Sequence, residues 1–75
     1  MAEGFVHTVP VDGHWENTVA GQDGMVGGPH RTKSEAVAAG RTEAQRRKTE
    51  HVIHNEDGSI AERNSYGGDP AQRPG

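Results

Sequence analysis

The sequence predicts a single α+β domain in the order ββαββ, a three- to four-stranded antiparallel sheet with one helix packed on one face. Two stretches rich in β-branched residues each contain an Asp-Gly pair, which supplies the positive φ angles of tight hairpin turns. Between them lies a stretch that opens with a helix-start signal. The 75 residues make one domain at most, which we place at 5–66, between a loose amino terminus at 1–4 and a flexible tail at 67–75.

The second hairpin has the strongest local pattern in the chain. Residues 51–54 read His-Val-Ile-His, a short β-branched run, and Asp57-Gly58 follows as the turn. The returning strand is predicted at Ser59–Tyr66, and Gly67-Gly68 and Asp69-Pro70 end it. This stretch therefore predicts two adjacent antiparallel strands.

The first hairpin, with strands at Phe5–Val11 and His14–Ala20, leaves two turn registers open. A two-residue Asp12-Gly13 turn sets Pro10 opposite Trp15, whereas a three-residue turn that includes His14 gathers the apolar side chains on one face. We favour the three-residue turn for that reason, with a shared face formed by Val9, Val11, Trp15 and Val19. Because proline has no amide hydrogen, Pro10 also predicts that its strand is an edge strand or that it lies at a bulge.

A glycine-rich, flexible connection at 21–29 leads to the helix. Thr32 and Glu35 have the spacing of a capping box, which predicts a helix over 33–48. Its last turn carries Arg46, Arg47 and Lys48, where the helix dipole favours positive charge. The face predicted to lie on the sheet is small and consists of Ala36, Val37, Gly40 and Ala44. A mid-helix glycine costs about 1 kcal/mol relative to alanine, so Gly40 indicates a packing constraint.

Motifs along nearly the whole chain carry a family resemblance. In the first hairpin and the helix they are His7, Val9-Pro10, Gly13, Trp15, Thr32-Lys33, Glu35-Ala36, Arg41 and Ala44. In the second hairpin they are Val52-Ile53-His54, Asp57-Gly58, Ile60, Ser65-Tyr66-Gly67 and Asp69-Pro70. Together they resemble a family of small bacterial and phage proteins, the domain of unknown function numbered 2188. The sequence departs from the family pattern after Trp15, where residues 16–18 are more polar and 21–28 are looser. The resemblance implies a fold of this kind and brings no established activity.

The composition sets aside several classes of protein. The absence of cysteine excludes a disulfide scaffold, a thiolate zinc site and a thiol nucleophile. The sequence has no signal-peptide pattern and no apolar run of membrane-spanning length, so we expect a cytoplasmic protein without a membrane partner. There is no nucleophile elbow and no phosphate-binding loop. We therefore expect a non-enzymatic protein without a cofactor.

Five histidines raise the possibility of a metal site. His51 and His54 are three residues apart, which puts them on opposite faces of a strand. His7 and His54 could meet across neighbouring strands, but two imidazoles without a carboxylate make a poor site. We therefore expect no metal. If His7 and His54 do pack together, their protonation near pH 6 should disfavour the fold.

The positive charges are concentrated around the helix although the net charge is −3. Six of the eight Lys and Arg residues fall within 31–48, namely Arg31, Lys33, Arg41, Arg46, Arg47 and Lys48. One interpretation is a nucleic-acid-binding helix that contacts phosphates. The other is a solvated helix face whose cations pair with Glu43, Glu50 and the acidic hairpin, and we favour it. No aromatic residues alternate with the cations, so a platform for stacked single-stranded bases is not indicated.

The function predicted from the sequence is that of a small interaction module. The chain has no leucine and few large apolar residues, so self-association, for example as a homodimer, would add stability. An edge strand with unpaired amides is a ready site for a protein partner or a second copy, and an exposed sheet face is the other candidate. The candidate partner surface consists of Trp15, His54 and Tyr66, although Trp15 and Tyr66 are also predicted core or core-edge residues. The alternative function is nucleic-acid binding by the basic helix Arg31–Lys48.

Overall fold

The computed structural model describes residues 4–67, which form one helix packed on one face of a four-stranded sheet. In chain order the elements are β1 (Val6–Val11), β2 (His14–Val19), α1 (Lys33–Arg47), β3 (Glu50–His54) and β4 (Ile60–Ser65). The strand order across the sheet is β2-β1-β3-β4. The predicted α+β class and the ββαββ order are confirmed. The predictions of a loose end at 1–4 and a flexible tail at 67–75 fall mostly outside the described residues.

The sheet is mixed, so the prediction of a purely antiparallel sheet was wrong. β1 and β3 run parallel, with Val6 paired to His51 and Thr8 paired to Ile53. The cause lies in the segment after β2, which runs back along that strand until His30 pairs with Trp15. The helix therefore starts at the turn end of the first hairpin and returns the chain to the end where β1 began. Parallel strands need such a crossover connection.

The first hairpin has a two-residue turn, and the favoured three-residue turn was wrong. Asp12 and Gly13 both have positive φ, at 46° and 88°, and Pro10 pairs with Trp15. This register places Val9 and Val11 on the face opposite the helix, which we call the open face. The apolar pattern was misleading because two positions on the helix face are polar, Thr8 and Asn17, and they are satisfied by hydrogen bonds.

Pro10 lies in an internal strand, which corrects the prediction that its strand would be an edge or bulged. β1 lies between β2 and β3 in the sheet. The pairing between β1 and β3 covers only Val6–Thr8. Pro10 lies beyond that stretch, so its missing amide hydrogen removes no bond to β3.

The helix ends as the sequence predicts, within one residue. The Thr32 side chain accepts a hydrogen bond from the Glu35 amide at 3.1 Å, and Lys48 closes the carboxyl end in the left-handed conformation with φ 56°. The helix buries Ala36, Gly40 and Ala44. Ala44 packs with Val6 and Val19, and Val26 and Tyr66 border this cluster. The small inner face thus brings the helix close to the sheet.

Beneath Gly40 lies a buried polar cluster formed by Thr8, Asn17 and His51. The Thr8 hydroxyl lies 2.5 Å from Asn17 Oδ1 and 2.6 Å from His51 Nε2, and Asn17 Nδ2 donates to the Ala36 carbonyl at 2.9 Å. Because the hydroxyl has one hydrogen and Asn17 Oδ1 can only accept, Thr8 donates to Asn17 and accepts from His51 Nε2. His51 Nδ1 is buried without a hydrogen-bond partner. The three side chains are therefore held in one arrangement under the helix.

The second hairpin forms as predicted. The Asn55 amide donates to the Ser59 carbonyl at 2.7 Å, and Gly58 has a φ of 91°. Ile53 pairs with Glu62 and His54 with Ile60, so a bulge shifts the register next to the turn. Regular pairing of β3 with β4 therefore runs from Glu62 to Ser65. The helix makes no contact with β4, which lies beside the helix-covered part of the sheet.

Candidate functional site

The outer edge of β4 is uncovered in the part of the chain that the structure describes. The opposite edge of the sheet, on β2, is covered by three backbone hydrogen bonds to the segment that follows it, namely Trp15 to His30, His30 to Trp15 and Val26 to Asn17. Within residues 4–67, β4 makes no backbone hydrogen bond on its outer side. Five of its six residues are exposed. The free edge and the exposure coincide on this one strand.

The pairing with β3 decides which backbone groups of β4 point outward. The Tyr66 amide donates to the Thr49 carbonyl at 3.2 Å. In an antiparallel pair, residues that bond to the partner strand alternate with residues that do not. The amides and carbonyls of Glu62 and Asn64 therefore point to β3. Those of Arg63 and Ser65 point away from it, and we call these four groups the β4 edge.

The side chains around the β4 edge are tied within their own chain. Arg63 Nε lies 3.0 Å from Glu50 Oε1, and Asn64 Nδ2 donates to Glu62 Oε2 at 3.1 Å. Ile60, at the turn end of the strand, is 54% exposed. Because the helix does not reach β4, an added strand could approach the β4 edge from outside the helix-covered part of the sheet.

On the open face, His7 and His54 meet as the sequence allowed. His7 Nδ1 lies 3.0 Å from His54 Nε2, and the rings stack with centroids 5.2 Å apart. Burial lowers the pKa of His7, and the positive charges of His54 and Arg63 lower it further. His51 points to the helix side, so His51 and His54 do lie on opposite faces of β3. The hydrogen bond between His7 and His54 holds only while one of the two rings can accept it.

The histidines do not assemble into a metal centre in the described part of the chain. Within residues 4–67, no group of three or more His, Asp or Glu side chains is placed to hold an ion. An open depression of about 340 Å³ lies at the first turn, lined by Pro10, Asp12, Gly13, His14, Trp15 and Glu56. In this depression His14 Nε2 lies 2.7 Å from Glu16 Oε2, so a hydrogen bond to a neighbour on the same strand holds the ring.

The six cations predicted as nucleic-acid contacts divide into two groups. Arg46 and Arg47 both pair with Glu43. Lys33 Nζ lies 5.6 Å from the centre of the Trp15 ring and donates to Asn55 Oδ1 at 3.2 Å. The remaining cations are exposed, and they are Arg31, Arg41 and Lys48. Half of the basic cluster is therefore engaged by the domain itself.

The three residues predicted as a partner surface are not brought together. Trp15 is 7% exposed and lies on the helix side beneath Lys33. Tyr66 borders the core cluster around Ala44. His54 lies on the open face with His7. Trp15 and Tyr66 thus take the core and core-edge positions that the sequence also allowed.

Comparison with known families finds a match over nearly all of the described residues. The family described as an uncharacterized protein conserved in bacteria (DUF2188) matches residues 6–66. The chain belongs to this family. No curated protein and no solved structure matches the chain.

Sequence reasoning anticipated a free strand edge in this DUF2188 chain, but it considered an edge position for the strand of Pro10 and did not name β4. The signal was present in β4, where Glu62, Arg63, Asn64 and Ser65 are all polar. A strand with one face on a core alternates apolar and polar residues. A strand without that alternation has neither face covered, and this could have identified β4.

No helix within residues 4–67 is both long enough and apolar enough to cross a membrane.

Proposed function

We propose that this DUF2188 protein is a non-enzymatic interaction module that binds an extended segment of a protein partner along the β4 edge, and that it does so in the cytoplasm. The observation that carries the proposal is the contrast between the two sheet edges. The β2 edge is closed by backbone bonds from 25–30, whereas the outward amides and carbonyls of Arg63 and Ser65 have no partner among residues 4–67. Unpaired edge strands are the sites at which added strands bind.

The β4 edge favours a short and selective contact. The bulge beside Ile53 limits regular pairing to Glu62–Ser65. Charged side chains on an edge discourage indiscriminate pairing, and Glu62 and Arg63 are charged. Arg63 forms an ion pair with Glu50 of the neighbouring strand β3. The charge of Arg63 is therefore partly neutralised at the edge where a partner strand would lie. We expect a partner segment that places no like charge opposite Glu62 or Arg63, which lie on alternate faces of β4.

Nucleic-acid binding by the basic helix remains the alternative predicted from the sequence, and we do not adopt it. Glu43 neutralises part of the charge at the end of the helix through Arg46 and Arg47, and Lys33 is held over Trp15. A phosphate-binding surface gains affinity from several unpaired cations acting together. The arrangement of these side chains supports the solvated-face interpretation more than the phosphate-binding one.

Removing one outward amide should weaken binding without unfolding the domain. Peptides selected from a displayed random library would be measured by calorimetry against Ser65→Pro, because Ser65 donates no amide bond to β3. Loss of one backbone hydrogen bond costs about 1 kcal/mol. The proline ring also obstructs the incoming strand, so affinity should fall by about tenfold or more.

Ser65→Ala is the matched control, since it shortens the side chain and keeps the amide. Its affinity should stay close to that of the unaltered protein. Circular dichroism and thermal melting would verify that both variants are folded. If selected peptides bind Ser65→Pro as tightly as Ser65→Ala, or if no peptide depends on this amide, the proposed function is wrong.

A further inference from the structure

We propose that the β4 edge pairs with the β4 edge of a second copy of this chain, antiparallel and centred on Asn64, to form a continuous eight-stranded sheet. This inference rests on the proposed function and names the occupant of the edge. Its basis is which residues of β4 direct their amides and carbonyls away from β3, together with the order of the side chains, Ile60-Ala61-Glu62-Arg63-Asn64-Ser65. The symmetry of a dimer restricts how these residues can face one another.

Only a few registers are open to a symmetric antiparallel pair. Two antiparallel β4 strands are related by a two-fold axis perpendicular to the sheet, which keeps each side chain on its own face. Successive side chains alternate between faces, and residues opposite each other must lie on the same face. The axis must therefore lie at the level of one residue, midway between its two copies, and we say that it passes through that residue. Within the regularly paired part of β4, the axis can pass through Glu62, Arg63 or Asn64. Ser65 is the last residue of the strand, and an axis there would set Asn64 and Arg63 opposite residues beyond the end of β4 in the second copy.

Charge decides among these three centres. A centre at Glu62 puts two carboxylates opposite each other, and a centre at Arg63 puts two guanidinium groups opposite each other. Like charges directly opposite across two strands are destabilising. A centre at Asn64 instead pairs two neutral amides and sets Arg63 opposite Ser65 of the second copy. It is the one centre of the three that opposes no like charges.

The register centred on Asn64 also satisfies the backbone of the β4 edge. Arg63 and Ser65 are the residues whose amides and carbonyls point outward, and this register sets each of them opposite the other in the second copy. Each such pair exchanges two backbone hydrogen bonds. The bonds from both sides of the axis use all outward groups of Arg63 and Ser65 in each chain. The two helices lie on the same face of the combined sheet, and neither contacts β4 in its own chain.

The charge at position 64 tests both the partner and the register. Sedimentation velocity would follow the oligomeric state of the full chain up to about 1 mM protein, the range of a weak dimer. We expect the unaltered chain to dimerise. Asn64→Lys and Asn64→Glu should each weaken the homodimer by about tenfold, because like charges then face each other at the axis. An equimolar mixture of the two variants should restore association.

The alternatives give different results. If the axis passed through Arg63, position 64 would face Glu62 of the second copy, and Asn64→Lys would strengthen the dimer, which contradicts the proposed register. A dimer that persists in Ser65→Pro contradicts the use of the β4 edge. A chain that stays monomeric at about 1 mM overturns self-pairing. The proposed function would still stand if that monomer bound selected peptides through the Ser65 amide.

Discussion

Replacing Gly40 with alanine should destabilise the domain by about 2–4 kcal/mol, although alanine is the better helix former. A Cβ atom at this position would lie 2.5 Å from Asn17 Oδ1, 2.5 Å from His51 Nε2 and 2.8 Å from Thr8 Oγ1. Helix propensity would return about 1 kcal/mol. Overpacking a core costs about 1–3 kcal/mol, and each buried polar group left without its partner costs about 1–3 kcal/mol. Urea unfolding would measure the change.

The control for Gly40→Ala is Ala38→Gly, on an exposed position of the same helix. It should cost about 1 kcal/mol, the ordinary difference in helix propensity. The two variants change helix propensity in opposite directions, yet both should lower the free energy of unfolding. If Gly40→Ala is as stable as the unaltered chain or more stable, the close approach of the helix to the polar cluster is wrong.

Acidification should destabilise the domain as the pH falls below about 6.5, the ordinary pKa of histidine. Burial lowers the pKa of His51, and the charge of Arg41 and of His7 lowers it further while Glu62 opposes them. The pKa of His7 is also lowered, first by burial and then by His54 and Arg63. The unfolded chain therefore binds protons at a higher pH than the folded chain does. The free energy of unfolding is greatest above the pKa of these histidines in the unfolded chain, and it declines as the pH falls below that value.

Unfolding free energies measured between pH 7.5 and about pH 5 would test this dependence. Each imidazole can contribute at most about 1.4 kcal/mol per pH unit, and the half-buried His7 contributes less because solvent screens it. His7→Gln should make the decline shallower while leaving the cluster beneath Gly40 intact. Stability that is unchanged, or higher, at the acidic end would contradict the hydrogen-bonding state assigned to these rings.

The local elements of this fold were predictable because their signals lie within a few residues. The capping pattern of Thr32 and Glu35 set the helix start, and the Asp-Gly pairs set both turns. The parallel pairing of β1 with β3 was not predictable in this way. It depends on the path of the segment that leads to His30, and a glycine-rich sequence does not specify that path.

The prediction of the register of the first hairpin was wrong for a different reason. Grouping Val9 and Val11 with Trp15 assumed that every core-facing position is apolar. Thr8, Asn17 and His51 instead occupy core positions and satisfy one another. Gly40 was recognised as a constraint, but a single sequence does not show which side chains lie opposite it. The free strand edge was anticipated in kind. The polar sequence of β4 was a signal for its position, and the strand order established it.

The β4 edge itself is tested most directly by hydrogen exchange of four neighbouring amides, followed by NMR. In dilute protein the Arg63 and Ser65 amides should exchange rapidly because they have no hydrogen-bond partner within residues 4–67, while those of Glu62 and Asn64 should be protected by their bonds to β3. Raising the protein concentration, or adding a selected peptide, should protect Arg63 and Ser65. Equal protection of all four amides in dilute protein, or protection that appears only elsewhere on binding, would contradict the assignment of this edge as the interaction site.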